Sequence, residues 1–235
     1  MSRVFLGVGH GGSDPGAVAN GLKEKDVNLV MALACKRELE RHGVTVGISR
    51  IKDEADPLTE EIQEANAFKP DLAVEIHNNA GGGDGFEVYR QTNGYIVKSK
   101  ALAQAIETQV KELGQNSRGV KTWLNAAGQD YFGWLRMVKA PAVLCEGAFL
   151  DTKDHEIIDT KEKQETFRVA YVKGLLGVHG IPWKDETSTG GYIPKWQYTE
   201  LEADYQAALA RFEASEARHA NLISDIQATI DKFSQ

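Results

Sequence analysis

The segment Leu72-Ala73-Val74-Glu75-Ile76, followed directly by His77-Asn78-Asn79-Ala80, decides the fold. Its first five residues are mostly small or β-branched apolar types, and they come just after Pro70, so they predict a buried strand. The polar residues that follow, and then three glycines at 81–83, predict the end of that strand and a loop. A short, mostly apolar strand of this kind is typical of the buried interior of a sheet.

Outward from this strand, the chain alternates between strand patterns and helix patterns. Strands are predicted at residues 3–8, 44–49, 72–76, 86–89 and 142–146, and helices at 25–42, 58–68, 99–113 and 161–176. This alternation predicts an α/β fold with a mostly parallel central sheet flanked by helices on both faces. In such sheets functional groups collect at the carboxyl ends of the strands. His10, His77 and Glu146 each follow directly on an apolar strand pattern.

Composition excludes several classes of protein. The 235 residues carry a formal net charge of -7, so we expect no nucleic-acid partner, because phosphate binding needs clustered cations. No apolar run approaches the roughly 20 residues of a membrane span, so we expect no integral membrane segment. Cys35 and Cys145 lie in apolar stretches, which indicates buried free thiols.

The C-terminal part differs in composition from the rest. We predict a catalytic domain over residues 1–183, a linker rich in Gly, Ser, Thr and Pro over 184–195, and a helical tail over 196–235. Apolar residues recur along the tail in steps of four and three, the spacing of a coiled-coil seam. Three roles are open for this segment: homo-oligomerisation, targeting to a larger substrate, or packing of the helix back on the catalytic domain.

Four residues have the types that a zinc hydrolase site requires, namely three ligands and a carboxylate for proton transfer. His10 lies in a glycine-rich turn, Glu24 just before the first long helix and His77 at the end of a strand. Glu146 follows four apolar residues, which would raise its pKa. Taken singly, three of them have an ordinary explanation: a histidine at a strand end is often a hydrogen-bonded polar residue, and Glu24 is an acid of the kind favoured in the first turn of a helix. Glu146 is harder to explain in this way, because a carboxylate at the end of an apolar strand is costly unless it is paired or solvated.

The order of four motifs adds a family resemblance. The chain resembles the zinc-dependent N-acetylmuramoyl-L-alanine amidases of the Amidase_3 type in four motifs, which occur in the family's order. These motifs are residues 9–17 (GHGGSDPGA), 24–29 (EKDVNL), 65–80 and 141–150 (PAVLCEGAFL). The resemblance spans most of residues 3–176 and does not reach the tail. It implies one Zn²⁺ ion held by His10, Glu24 and His77, a catalytic role for Glu146, and peptidoglycan as the substrate.

Three positions depart from the family pattern. Glu75 stands where the family usually has Ser, Glu61 where Arg is common, and Asp151 where Asn is frequent. None of them is one of the implied zinc ligands. The departures therefore bear on the groups that support the site and on substrate preference.

The resemblance implies hydrolysis of the amide bond between N-acetylmuramic acid and L-alanine, leading to lysis of the wall. Two alternatives stay open: a zinc peptidase acting on the stem peptide, and a wall-binding module without activity. The first ten residues show no pattern of a secretory signal peptide. This favours a phage endolysin that is held in the host cytoplasm before release and then acts at the cell wall, with a bacterial enzyme as the alternative.

The sequence does not identify the substrate-binding groups. Two roles are open for four aromatic residues in a Gly- and Asn-rich stretch: they line a groove for glycan or peptide, or they cover the core. These residues are Trp123, Tyr131, Phe132 and Trp134. The remaining histidines lie at a helix end or in polar contexts, and we expect none of them to bind the metal: His42, His155, His179 and His219.

Overall fold

Residues 2–185 are described by the computed structural model, and strands and helices alternate along them. The strands are β1 (Arg3–Val8), β2 (Val18–Ala19), β3 (Leu22–Lys23), β4 (Thr45–Ile48), β5 (Leu72–Asn79), β6 (Phe86–Arg90), β7 (Ser117–Lys121) and β8 (Ala142–Phe149). The helices are α1 (Glu24–Arg41), α2 (Leu58–Phe68), α3 (Ile96–Glu112), α4 (Gly133–Met137) and α5 (Lys161–His179), with a 3₁₀ helix at Lys153–Ile157. Residues Met1–Trp183 form one compact unit. The predicted helical tail lies outside the described residues and stays a prediction.

Six strands form the central sheet, in the order β4-β1-β5-β8-β6-β7. The pairs β1–β4, β1–β5, β5–β8 and β6–β7 are parallel, and only the β6–β8 pair of this sheet is antiparallel. The predicted mostly parallel α/β sheet is therefore confirmed. The segment that decided the prediction becomes β5, which lies inside the sheet between β1 and β8.

Helices cover both faces of this sheet, as predicted. On one face α1, α3 and α5 pack over the larger core cluster, which contains Val74 and Ile76 of β5. On the other face α2 and α4 pack over a smaller cluster, which contains Ala73 of β5 and Leu144 of β8. Because side chains alternate along a strand, Glu75, His77 and Glu146 point to this second face. Both cysteines are buried and free, as predicted.

Two strands continue further than the sequence patterns indicated. His77 was expected just after its strand and Glu146 at the end of its strand, but both lie within longer strands, β5 and β8, and are paired in register. The backbone ladder needs no apolar side chain, so it continues past both polar residues; the register shifts after His77, and Asn79 then pairs with Phe149. The short elements β2, β3, β7 and α4 were not predicted, because periodicity is a weak signal over two to five residues.

No helix within residues 2–185 combines the length and the apolar character that crossing a bilayer requires. This agrees with the prediction for that part of the chain.

Helices α3 and α5 approach closely at Gly174. A Cβ atom placed on this glycine would lie 2.8 Å from both the backbone N and the Cα of Ile106. Gly177, one turn further along α5, is exposed and has no atom within 4 Å of the equivalent position. The two glycines therefore have different reasons for lacking a side chain.

We expect Gly174→Ala to lower the free energy of unfolding by about 1–3 kcal/mol, because the added methyl group overpacks the α3–α5 contact. Gly177→Ala is the matched control and should raise it by about 0.5 kcal/mol, since alanine favours the helix. Urea unfolding of both variants measures the difference. Equal effects of the two substitutions would show that α3 and α5 do not pack closely at Gly174.

Candidate metal centre and active site

Three side chains from separate elements meet at the carboxyl end of the central strands. His10 follows β1, Glu24 begins α1 and His77 belongs to β5, and one donor atom from each lies within 4.8 Å of the others. Glu24 lies between the two imidazoles, with Oε2 3.2 Å from His10 Nε2 and Oε1 2.9 Å from His77 Nδ1. Two imidazoles and a carboxylate form a donor set typical of catalytic zinc. The residues present therefore fit the metal that the sequence implied.

Glycines make the room that this arrangement needs. A side chain at Gly9 would overlap the His77 ring, and a Cβ atom at Gly16 would lie 2.6 Å from both Glu24 Oε2 and His10 Cδ2. His10 itself has a φ of 65°, in the left-handed region that few residues other than glycine occupy. The glycine-rich turn after β1 thus turns His10 toward Glu24 and leaves space for His77.

Each histidine also has a carboxylate at its other ring nitrogen. His10 Nδ1 lies 2.8 Å from Asp14 Oδ2, and His77 Nε2 lies 3.3 Å from Glu75 Oε1. Carboxylates placed in this way fix the tautomer and the orientation of a metal-binding imidazole. The nitrogens that face Glu24 are therefore left to bind a metal ion.

Glu24 is held in its charged form. Burial alone would raise its pKa, but hydrogen bonds from His10 and His77 lower the pKa below its ordinary value. Two backbone amides add to this: Ala17 N donates to Oε2 at 3.0 Å and Asn78 N donates to Oε1 at 3.1 Å. An ionised carboxylate is the form that a cation requires.

Glu146 stands beside this triad on the neighbouring strand, in register with His77. Its Oε2 is enclosed and has no hydrogen-bond partner among the described residues. Burial, together with the charges of Glu24 and Glu87, raises the pKa of Glu146 to about 7, although the charges of His77 and His10 oppose the shift. A carboxylate with a pKa near neutrality suits general acid–base catalysis.

Glu87, which the sequence gave no reason to single out, pairs with Glu146 across the antiparallel β6–β8 ladder. It accepts hydrogen bonds from Arg118, from Lys121 Nζ at 2.6 Å and from the Tyr89 hydroxyl at 2.9 Å. Burial would raise the pKa of Glu87, but these donors lower it overall. Glu87 therefore keeps a negative charge near Glu146 while Glu146 itself is free to take up a proton.

A cavity of about 380 Å³ opens next to His10 and His77. Two of the three departures from the family pattern meet in its wall: Glu61 from α2 and Glu75 from β5 both lie over Gly7, where any side chain would collide with them. Burial, and then the charge of Glu75, raises the pKa of Glu61 well above its ordinary value. The third departure, Asp151, lies apart from this pair and accepts hydrogen bonds from the amides of Gly81 and Gly82.

The structure separates the four aromatic residues whose role the sequence left open. Trp134 is fully buried against Phe5 and donates its indole N–H to the carbonyl of Val143, so it belongs to the core. Phe132 is half-buried and lines the cavity. Trp123 and Tyr131 remain about half exposed.

The other histidines within the described residues lie outside the group formed by His10, Glu24 and His77. His42 is the C-cap residue of α1, and its Nδ1 lies 2.9 Å from the carbonyl oxygen of Glu38. His155 lies in the 3₁₀ helix and His179 at the end of α5. His219 lies outside the described residues.

Comparison with known proteins gives a consistent result. Residues 4–176 match the profile of the Amidase_3 family, described as N-acetylmuramoyl-L-alanine amidase. The chain is 40% identical over 204 residues to the endolysin of Bacillus phage SPP1, covering 83% of this chain and 71% of that protein. It is 30% identical over 217 residues to a sporulation-specific N-acetylmuramoyl-L-alanine amidase of Bacillus subtilis, covering 91% and 82%.

Solved structures show the same fold. Cwp6 from Clostridium difficile superposes with a TM-score of 0.72 at 34% identity, covering 75% of this chain and 29% of that chain. The N-acetylmuramoyl-L-alanine amidase AmiC2 of Nostoc punctiforme gives a TM-score of 0.68 at 26% identity, covering 76% and 97%. The present chain thus corresponds to less than a third of Cwp6.

We expect His77→Ala to lose most of its bound zinc while it keeps a cooperative unfolding transition. Removal of one of three ligands leaves the ion under-coordinated, whereas both core clusters stay intact. Elemental analysis after zinc loading measures the loss, with His155→Ala as the control that should retain the wild-type content. Full zinc occupancy in His77→Ala would assign this ligand role to another residue.

Proposed function

The chain belongs to the N-acetylmuramoyl-L-alanine amidase family, and we propose that it is a zinc-dependent member that hydrolyses the bond between N-acetylmuramic acid and L-alanine in peptidoglycan. One observation carries the proposal. Two imidazoles and the Glu24 carboxylate converge within 4.8 Å, and Glu146, with a pKa near 7, lies in register beside His77.

In this proposal different residues of the chain have different roles in the hydrolysis of the amide bond. Zinc held by His10, Glu24 and His77 would polarise the scissile carbonyl and the attacking water. Glu146 accepts the proton of that water and then donates it to the alanine nitrogen as the nitrogen leaves. Asp14 and Glu75 keep the two imidazoles oriented throughout.

The biological setting is also part of the proposal. The similarity to the endolysin of Bacillus phage SPP1 supports a lytic enzyme that is stored in the host cytoplasm and reaches the wall after release. A bacterial enzyme is the alternative, and the similarity to a sporulation-specific amidase of Bacillus subtilis is consistent with it. For the tail over residues 196–235 we retain homo-oligomerisation or wall targeting as the proposed role, and catalysis is assigned to residues 1–183.

Incubation with purified peptidoglycan, with and without a chelator, tests the activity. We expect release of intact stem peptides that begin with a free L-alanine amino group, and we expect the chelator to stop this release until zinc is restored. Fragments cut within the stem peptide would instead identify a zinc peptidase. Binding to the wall without any release would identify a non-catalytic module.

We expect Glu146→Gln to keep its zinc and to lower turnover by about 100-fold or more, because the amide side chain cannot accept the proton of the water. Stem-peptide release and metal content are measured on the same preparation. Glu112→Gln, an exposed carboxylate at the end of α3, is the control and should have wild-type turnover. Wild-type turnover in a zinc-loaded Glu146→Gln enzyme would remove Glu146 from the mechanism.

A further inference from the structure

Four aromatic side chains gather on the second face of the sheet, and we call them the aromatic cluster: Tyr89, Trp123, Tyr131 and Phe132. Within it the rings of Trp123 and Tyr131 are stacked, with centroids 3.9 Å apart and planes within 6° of parallel. Phe132 meets both rings edge-on, at 5.7 and 5.4 Å. Despite these contacts Trp123 and Tyr131 stay 47% and 48% exposed. The pair therefore presents aromatic surface to solvent.

The loop that carries the pair is held by hydrogen bonds. Tyr131 N donates to the carbonyl of Trp123 at 2.8 Å, which closes the loop at its base. Asp130 accepts from the amide and the hydroxyl of Thr92, at 3.0 and 2.7 Å. Arg136 Nη1 donates to the carbonyls of Asp130 and Tyr131, at 2.7 and 3.1 Å. The exposed rings are thus fixed in place before any molecule binds, which lowers the entropy cost of binding.

The aromatic cluster is continuous with the candidate active site. Tyr89 pairs with Leu144 across the β6–β8 ladder, two residues before Glu146. Its ring lies 4.9 Å from that of Phe132. Phe132 and Leu144 in turn line the cavity together with His77. A substrate that reaches the metal triad and extends over β6 therefore passes along the exposed aromatic pair.

The chemistry of the two flanks differs. The cavity wall on the α2 side carries the carboxyl groups of Asp56, Glu61 and Glu75, which can form hydrogen bonds with the polar groups of a peptide. The β6–β7 side carries flat aromatic rings, a surface suited to the apolar C–H face of a sugar ring. The substrate of the proposed reaction also has two arms at its scissile bond, a glycan and a peptide.

We propose that Trp123 and Tyr131 form a glycan subsite, on which a pyranose ring of the peptidoglycan strand stacks while the stem peptide extends toward the α2 side. The inference rests on the proposed function, because that function supplies the glycan. The rings act by contact with the sugar and take no part in proton transfer.

Binding of a peptide-free probe, the disaccharide N-acetylglucosaminyl-N-acetylmuramic acid, tests the subsite. Isothermal titration of the zinc-loaded full chain should detect binding, and Trp123→Ala or Tyr131→Ala should weaken it about 10-fold or more, equivalent to about 1.4 kcal/mol. Tyr131→Phe keeps the ring and should bind as the wild type does. Tyr95→Ala, which removes another half-exposed tyrosine, is the matched control and should also bind normally.

Several results would overturn the subsite. Wild-type affinity in the two alanine variants, with zinc content and thermal unfolding unchanged, would show that the rings do not contact the sugar. Loss of binding to a free stem peptide, with disaccharide binding unaffected, would assign the pair to the peptide. A fall in molecular mass by light scattering in Trp123→Ala, with normal disaccharide binding, would assign it to self-association.

The test of the glycan subsite and the test of the proposed amidase activity can fail independently of each other. If the wild-type chain releases no stem peptide but binds the disaccharide through Trp123 and Tyr131, the amidase proposal fails and the subsite stands. If stem peptides are released and the alanine variants bind the disaccharide normally, the subsite alone is wrong.

Discussion

The carboxylate of Glu24 is the group on which the rest of the site depends. It is buried, and a buried charge is costly unless it is compensated. Here two imidazoles and the amides of Ala17 and Asn78 compensate it, and they come from the turn after β1 and from β5. Because α1 begins at Glu24, the first turn of the helix, the ends of two strands and the candidate metal ligands are joined at one point.

Much of this arrangement could be predicted from the sequence. The apolar runs of β1, β5 and β8 are long enough to show a strand pattern, and the motif order indicated His10, Glu24, His77 and Glu146. What the sequence could not supply was the reversed direction of β6, since a five-residue strand carries no signal of its orientation. This reversal places Glu87 opposite Glu146 and brings Arg118 and Lys121 to it. No spacing along the chain marks that contact.

The departures from the family pattern have a physical meaning that becomes visible only in three dimensions. Glu61 and Glu75 are 14 positions apart in the chain, yet both occupy the space over Gly7. A Ser or an Arg in place of either one would change the charge of the cavity wall. The two departures therefore act together on that wall, and neither is one of the candidate metal ligands. Asp151 lies apart from this pair and has a different role, because it accepts hydrogen bonds from the amides of Gly81 and Gly82 in the loop after β5.

The register between β5 and β8 determines what happens when these two strands misalign during folding. Glu146 faces His77 only because these strands align Ala73 with Ala142 and continue in step to His77. Side chains alternate between the faces of a sheet, so a slip of one residue would move Glu146 to the side of the sheet covered by α1 and α5. The apolar residues of β8 could be buried on either face of the sheet at little cost, whereas burial of the Glu146 carboxylate among apolar side chains is costly. Glu146 thus also disfavours a wrong alignment of β5 and β8 during folding, because a misaligned sheet would bury its carboxyl group among apolar side chains.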